Sequence, residues 1–167
     1  MIIDSTIEPV LPLFRAVGKI PSGIFILTTG QGPQASAMLV SFVQQLSREP
    51  ICVGAAIHQN REITSIIENT GGFVINVCHA GDKTLLRKYA RQSLSGDAAF
   101  DGVKTHRLDN GGIVLVDACA WIWCDFHQRV NFKTDHDLII GVATQGGLSH
   151  DEQAKPVVHI RHDGSNY

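Results

Sequence analysis

Apolar and polar positions alternate with a period of two through Trp121-Ile122-Trp123-Cys124-Asp125-Phe126-His127. That spacing puts Trp121, Trp123, Asp125 and His127 on one face of a strand and Ile122, Cys124 and Phe126 on the other. Further β-type runs occupy residues 24–29, 37–46, 51–57, 73–78, 113–116, 138–144 and 157–160, separated by loops such as "GQGPQ", "TGG", "DNGG" and "TQGG". The period changes to that of a helix in three places. Residues 8–19 predict a helix whose start Pro9 and Pro12 confine to the region of Pro12. In "NREITSIIENTGG", Asn60 is the expected N-cap, Ile63, Ile66 and Ile67 form one apolar face, and Gly71 is the stop. In "GDKTLLRKYARQ", Asp82 is the expected cap and Leu85, Leu86 and Tyr89 face inward. Residues 93–107 read as a long polar surface excursion. So many short strands with few helices predict a mainly β fold, an antiparallel barrel with helices packed on its outside rather than a doubly wound sheet.

The chain has 167 residues, which predicts one domain spanning 1–167. Apolar residues make up 44% and charged residues 18%, the profile of a packed protein rather than a disordered one. With a net charge of −2 and no lysine or arginine run, nothing points to nucleic acid or a membrane surface. No apolar stretch approaches the ~20 residues of a membrane span, and "MIIDSTIEPV" lacks the basic flank of a signal peptide. The expectation is a cytoplasmic chain. Cys52, Cys78, Cys119 and Cys124 all sit in apolar segments without C-x-x-C spacing, and the eight histidines are scattered, so no structural metal is expected.

Three stretches carry candidate chemistry. In "ASAMLVSFVQQLSREP", small and hydroxyl residues (Ser36, Ala37, Ser41, Ser47) punctuate a strand-like run. Missing bulk lets a flat ligand reach the backbone, though the run also fits a strand packed closely on a helix. At Asn60-Arg61 a β run meets a helix N-terminus, where unpaired N–H groups and an arginine suit a phosphate. Plain capping with a solvated arginine is the simpler alternative. Asp135-His136-Asp137 then precedes the apolar run Leu138-Ile139-Ile140. It is either an acidic turn or an imidazole held at a strand end and oriented by a carboxylate, with Asp135 and Asp137 both open as partner.

Taken in order, these stretches resemble the flavin reductase-like proteins of the FMN-binding split-barrel superfamily. "IPSGIFILTTG" is similar to that family's opening P-[ST]-G-[VI] strand. "SAMLVSFVQQLSREPICVGAAIHQNREITSIIENTGGFVINV" resembles its M-x-V-S-x-x-x-Q-x-S-x-x-P block, helix and F-V-x-N-V strand. "DHDLIIGVATQG" resembles its D-H-x-x-[FIV]-x-G-x-V segment. The closing "VVHIRHDGSNY" is similar to the end of the flavin reductase domain fused to flavodiiron proteins. Thr134 stands where glycine is usual before "D-H", and "SREP-I" lacks the second proline of the usual pair.

The resemblance implies a split β-barrel of Greek-key antiparallel type with flanking helices, a homodimer, and one FMN per subunit near the dimer interface. It implies a hydride taken from NADH or NADPH and passed through FMN to an acceptor, such as a partner redox protein or oxygenase. Carried over residue by residue, it sets the isoalloxazine along Ser36, Ala37, Met38, Leu39, Val40 and Ser41, with Ser47 nearby. Asn60 and Arg61 would meet the phosphate, and His136 would face the flavin and nicotinamide as the catalytic residue. Other outcomes stay open: a flavoredoxin-like FMN electron carrier not reduced directly by NAD(P)H, or a pyridoxal-phosphate or haem-binding relative on the same barrel. No G-x-G-x-x-G fingerprint indicates which nicotinamide is used. Trp121 and Trp123, sharing a strand face, are the expected dimer surface.

Overall fold

The apolar run at residues 37–46 breaks in two. The computed structural model describes residues 7–81, 83–148 and 153–165, with elements in the order α1 (Ile7–Gly18), β1 (Ser22–Gly23), β2 (Phe25–Thr29), a 3-10 turn (Gly32–Gln34), β3 (Ser36–Val40), β4 (Val43–Arg48), β5 (Ile51–His58), α2 (Ile63–Thr70), β6 (Gly72–Val77), α3 (Thr84–Tyr89), β7 (Leu94–Ser95), α4 (Asp97–Phe100), β8 (Thr105–Arg107), β9 (Ile113–Leu115), β10 (Ala120–Asn131), β11 (His136–Leu148) and β12 (Val158–His159). The large sheet has the antiparallel order β4-β5-β11-β10-β6-β2-β3-β7. Only Ser41 and Phe42 separate β3 from β4, so Val40 and Val43 lie at most ~10 Å apart. A flat sheet would place those strands about 29 Å apart at the usual strand spacing. The sheet therefore curls until its two ends meet at Ser41–Phe42. Among the described residues no β3–β4 ladder closes it. Phe42 instead extends the β4–β5 ladder, its carbonyl accepting the Ala56 N–H at 2.8 Å.

Curling gives the sheet an inside. Leu27, Met38, Val40, Val53, Ala55, Ile57, Phe73, Ile75, Cys124 and Ile139 fill it together with Ile63 and Ile67 of α2. The other face of β2 and β3 (Ile26, Ala37) packs against Leu85 and Tyr89 of α3, Ala99 of α4 and Leu115 of β9. β2, β3 and β6 are thus covered on both faces, which explains their nearly continuous apolar sequence. β10 keeps its alternation: Ile122, Cys124 and Phe126 join the inner core, while Trp121 and Trp123 cluster with Val74 and Val114. Of these two candidates for a dimer surface, Trp123 is buried within its own chain, its Nε1 donating to Asp125 Oδ1 at 2.8 Å, whereas Trp121 is half-buried. Two glycines are required here. Gly71 ends α2 in the left-handed region at φ 79°, and a Cβ on Gly141 would stand 2.6 Å from Cys124 Cβ and 2.8 Å from the Phe73 ring.

Buried Asn76 stitches β9 to the sheet: its Oδ1 accepts the Leu115 N–H at 2.8 Å and its Nδ2 donates to Ile26 O at 3.0 Å. Residues 93–107 are no mere excursion. They carry β7, α4 and β8, and Ala99, Leu94, Phe100 and Val103 pack on the core. Such a segment reads as polar because its few apolar positions are short and widely spaced.

Contacts divide the chain into a unit of residues 23–157 and a smaller one drawn from its two ends. In the smaller unit α1 runs from Ile7 through Pro12, not from Pro12, so the missing proline N–H does not stop it. The Gly164 N–H donates to Phe14 O there, and a Cβ on Gly18 would meet Asp163 at 2.6 Å. Asp163 accepts from the Ser165 side chain and backbone, which brings its carboxyl down to about 2. The expected cap Asp82 and the terminal Tyr167 lie outside the described residues. None of the described helices is long and apolar enough to cross a membrane.

Candidate functional site

β10 and β11 form a hairpin whose turn ends at Asp135-His136-Asp137. Lys133 takes the left-handed backbone, φ 60°, with its N–H on Asn131 Oδ1 at 2.7 Å. The positive φ falls on Lys133 and not on Thr134, so threonine is accommodated where glycine was the expected residue. Thr134 Oγ1 then donates to His136 O at 3.2 Å and helps to start the strand.

The two aspartates do different work. Asp135 is exposed and accepts from His136 Nδ1 at 3.0 Å, a bond that lowers the Asp135 carboxyl. Asp137 is 1% exposed and is surrounded by donors: Arg129 Nε at 2.6 Å, Asn131 Nδ2 at 2.8 Å and Gln59 Nε2 at 3.0 Å. Burial pushes the Asp137 carboxyl up, but the bonds from Arg129, Gln59 and Asn131 outweigh it and hold the group below the usual carboxylate range. Arg129 continues to Glu68 of α2 at 3.5 Å.

His136 lies directly across the ladder from His58. Their rings meet edge to face with centroids 5.3 Å apart, and Phe42 lies 5.9 Å from the His136 ring. His58 Nδ1 accepts the Asn60 N–H at 3.2 Å, so in the neutral ring the proton sits on Nε2. His58, Phe42 and Gln59 were not among the expected site residues. "HQN" beside the candidate phosphate loop was the available signal, but strand register alone shows that His58 faces His136.

Asn60 does not cap α2. Glu62 stands at that position with helical backbone and no side-chain capping bond, because the chain turns once more through Arg61 N–H to His58 O at 3.0 Å. The side chains of Asn60 and Arg61 are exposed and make no hydrogen bond or ion pair among the described residues. Ser36 Oγ donates to Leu94 O at 3.2 Å, and β7 pairs with Ser36 and Ala37 only. On that outer edge Met38, Leu39 and Val40 have no ladder partner among the described residues. Ser41, 2% exposed, holds an Oγ with no hydrogen-bond partner, at the crossing next to Phe42. Such a buried, unpartnered hydroxyl is costly unless a ligand answers it.

Ser47 lies apart. Its hydroxyl donates to Pro50 O at 2.7 Å and accepts the Cys52 N–H at 3.1 Å in the β4–β5 hairpin, about 20 Å from His58 along β5. Two cavities of about 500 Å³ also lie away from His136. One is an apolar groove between Val43, Ile51, Ile122 and Ala143; the other lies beside Ala35, Gly96, Phe100 and Arg107. Burial, with Asp125 and Cys52 nearby, pushes the Cys124 thiol up to about 12, so it is no nucleophile at neutral pH. Among the described residues no group of histidine, cysteine and acidic side chains is arranged to hold a metal.

An antiparallel, mainly β protein with a polar cluster at one end of a curled sheet is thus the class that fold and site define. The flavin reductase like domain matches residues 17–165, and the chain belongs to that family. It is 31% identical over 166 residues to diflavin flavoprotein A 1 of Synechocystis sp., covering 99% of this chain and 28% of that protein. It therefore spans little more than a quarter of this relative's length. Among solved structures it resembles the NADH:FAD oxidoreductase SgcE6 of Streptomyces globisporus (TM-score 0.79, 19% identity, 98% of this chain and 94% of that one). It is also similar to the flavin reductase HpaC complexed with NADP+ (TM-score 0.76, 22% identity, 93% and 94%).

Proposed function

We propose that this chain is an NAD(P)H-dependent flavin reductase that holds FMN and passes electrons from NADH or NADPH to an acceptor, a redox protein or an oxygenase. The observation that carries the proposal is the buried unpartnered hydroxyl of Ser41 at the crossing, next to Phe42, whose ring meets His136; Arg61 follows His58, the neighbour of His136 on β5. These residues fit FMN. Arg61 and Asn60 take the phosphate, where a guanidinium adds charge-assisted bonds to the N-terminal dipole of α2. Ser41 Oγ and the free edge at Met38, Leu39 and Val40 offer polar groups to the rim of a flat ring, while Ser36 and Ala37 support that edge from under β7. The FMN held there would supply two-electron redox chemistry. His136, fixed by Asp135 and flanked by Phe42 and His58, borders the ring and orients the nicotinamide.

The same reading takes the curled sheet as a Greek-key split barrel, the chain as one domain, and the assembly as a homodimer. Its interface is the apolar groove with exposed Leu46, Ile51 and Leu148 around it, and Ser47, at that end, contacts flavin only through such a dimer. The test is the absorbance spectrum of the purified protein, followed by anaerobic addition of NADH or NADPH. Yellow protein that bleaches supports the reading, and colourless protein that takes up no FMN ends it. His136→Ala should keep FMN and slow reduction by about 10- to 100-fold. A second reading, an FMN electron carrier, keeps the flavin contacts of Ser41, Asn60 and Arg61 and gives His136 no nicotinamide to orient. It predicts FMN that dithionite reduces and neither nucleotide does.

A further inference from the structure

Gln59 of the loop expected to grip phosphate bonds to the residues on both sides of His136. The Gln59 N–H donates to Asp135 O at 2.9 Å, and its side-chain amide donates to Asp137 Oδ1 at 3.0 Å. Asp137 accepts only, so the amide nitrogen must face it. The other bonds of the loop run back into β5, Arg61 N–H to His58 O and Asn60 N–H to His58 Nδ1, and on into α2, where Arg61 O accepts from the Thr64 hydroxyl at 2.9 Å; none of these reaches the His136 hairpin. Of the donors on Asp137, Arg129 and Asn131 belong to β10, and only Gln59 belongs to the loop. We propose that Gln59 is a positioning residue, a latch that sets Asn60 and Arg61 against the His136 strand and thereby determines the preference for a phosphorylated flavin. This inference rests on the FMN reading above.

The physical case is pre-organisation. Arg61 is a long, exposed side chain that must give up rotamer freedom to grip phosphate. Its backbone must already be in place if the gain is to exceed that cost. Without the side-chain latch, Gln59 keeps one backbone bond, to Asp135 in the turn before β11. Asp137 keeps its bonds to Arg129 and Asn131, so the hairpin survives the loss.

The experiment titrates apoprotein with FMN and with riboflavin, read by flavin fluorescence, for wild type, Gln59→Leu, Arg61→Ala and the double variant. Gln59→Leu is expected to weaken FMN about 5- to 10-fold and leave riboflavin within about twofold, with little change in melting temperature. In the Arg61→Ala background the same change should add less than about twofold, because both act through one contact. Equal losses for the two flavins, or fully additive losses in the double variant, overturn the latch. If Arg61→Ala lowers the FMN-to-riboflavin ratio and Gln59→Leu does not, the latch alone falls. If Arg61→Ala leaves that ratio unchanged, the phosphate contact falls and the latch with it. Should Gln59→Leu fail to fold, Gln59→Met carries the same test, since it keeps the length, adds no charge and removes the donor to Asp137.

Discussion

The two ends of the β5–β11 ribbon are built from opposite chemistry. At the His58–His136 end, one buried carboxylate gathers Arg129, Asn131 and Gln59, and the His136 ring meets both His58 and Phe42. At the Cys52–Val142 end, Val43, Ile51, Val53, Ile122 and Ala143 line an apolar groove, and Ile51 is 49% exposed. Polar networks fix geometry, because each bond has a direction. Apolar grooves favour burial without direction. One ribbon can therefore present a site that must be exact in position and a surface that only has to be covered, separated by about 20 Å of strand.

The change with the largest expected effect should erase the difference. Phe73 is fully buried in the core shared by both ends. Phe73→Ala should cost about 3–5 kcal/mol, seen as a melting temperature lower by roughly 10 °C. Flavin binding and association should then fail together on heating. An unchanged melting curve would take Phe73 out of that shared role.

A smaller effect should separate the ends. Ile51→Asp places a charge at the apolar end and should weaken the proposed homodimer by about 2 kcal/mol, roughly 30-fold, while the ratio of FMN to riboflavin affinity stays as it was. Sedimentation across micromolar concentrations reads this. A dimer of undiminished strength would move the interface elsewhere.

The smallest effect belongs to pH. The folded Asp137 carboxyl lies below its unfolded value of about 3.9, so its stabilisation is complete above about pH 4 and is lost as pH falls through the folded value. Asp137→Asn should melt below wild type at pH 7, and the gap should narrow as the pH drops below 4. A gap constant down to pH 2 would mean that Asp137 gains nothing from being charged.

What the sequence disclosed was local. The alternation at Trp121–His127 separated Ile122, Cys124 and Phe126 from Trp121 and Trp123, because the first three meet the inner core and the tryptophans a smaller cluster on the other face. Residues 37–46 read as one strand because apolar residues continue across Ser41–Phe42, and periodicity carries no mark of a chain leaving one end of a sheet for the other. Asn60 looked like a cap, yet the helix starts beyond it, since the backbone turns back on His58 first. The division of labour between Asp135 and Asp137 was hidden for a related reason. Gln59 lies 78 residues from Asp137, and only the register of β5 on β11 brings them together.

The crossing at Ser41–Phe42 bears on the order in which the molecule assembles. The β10–β11 hairpin closes over a turn of four residues, so it forms with little loss of chain entropy. β3 and β4 are neighbours in sequence but reach the hairpin from opposite flanks, β3 through β2 and β6, β4 through β5. The two residues between them can settle only when both flanks have docked. The crossing at Ser41–Phe42 should then be the last part to become ordered and the first to open, and amide hydrogen exchange should find its backbone the least protected of the large sheet.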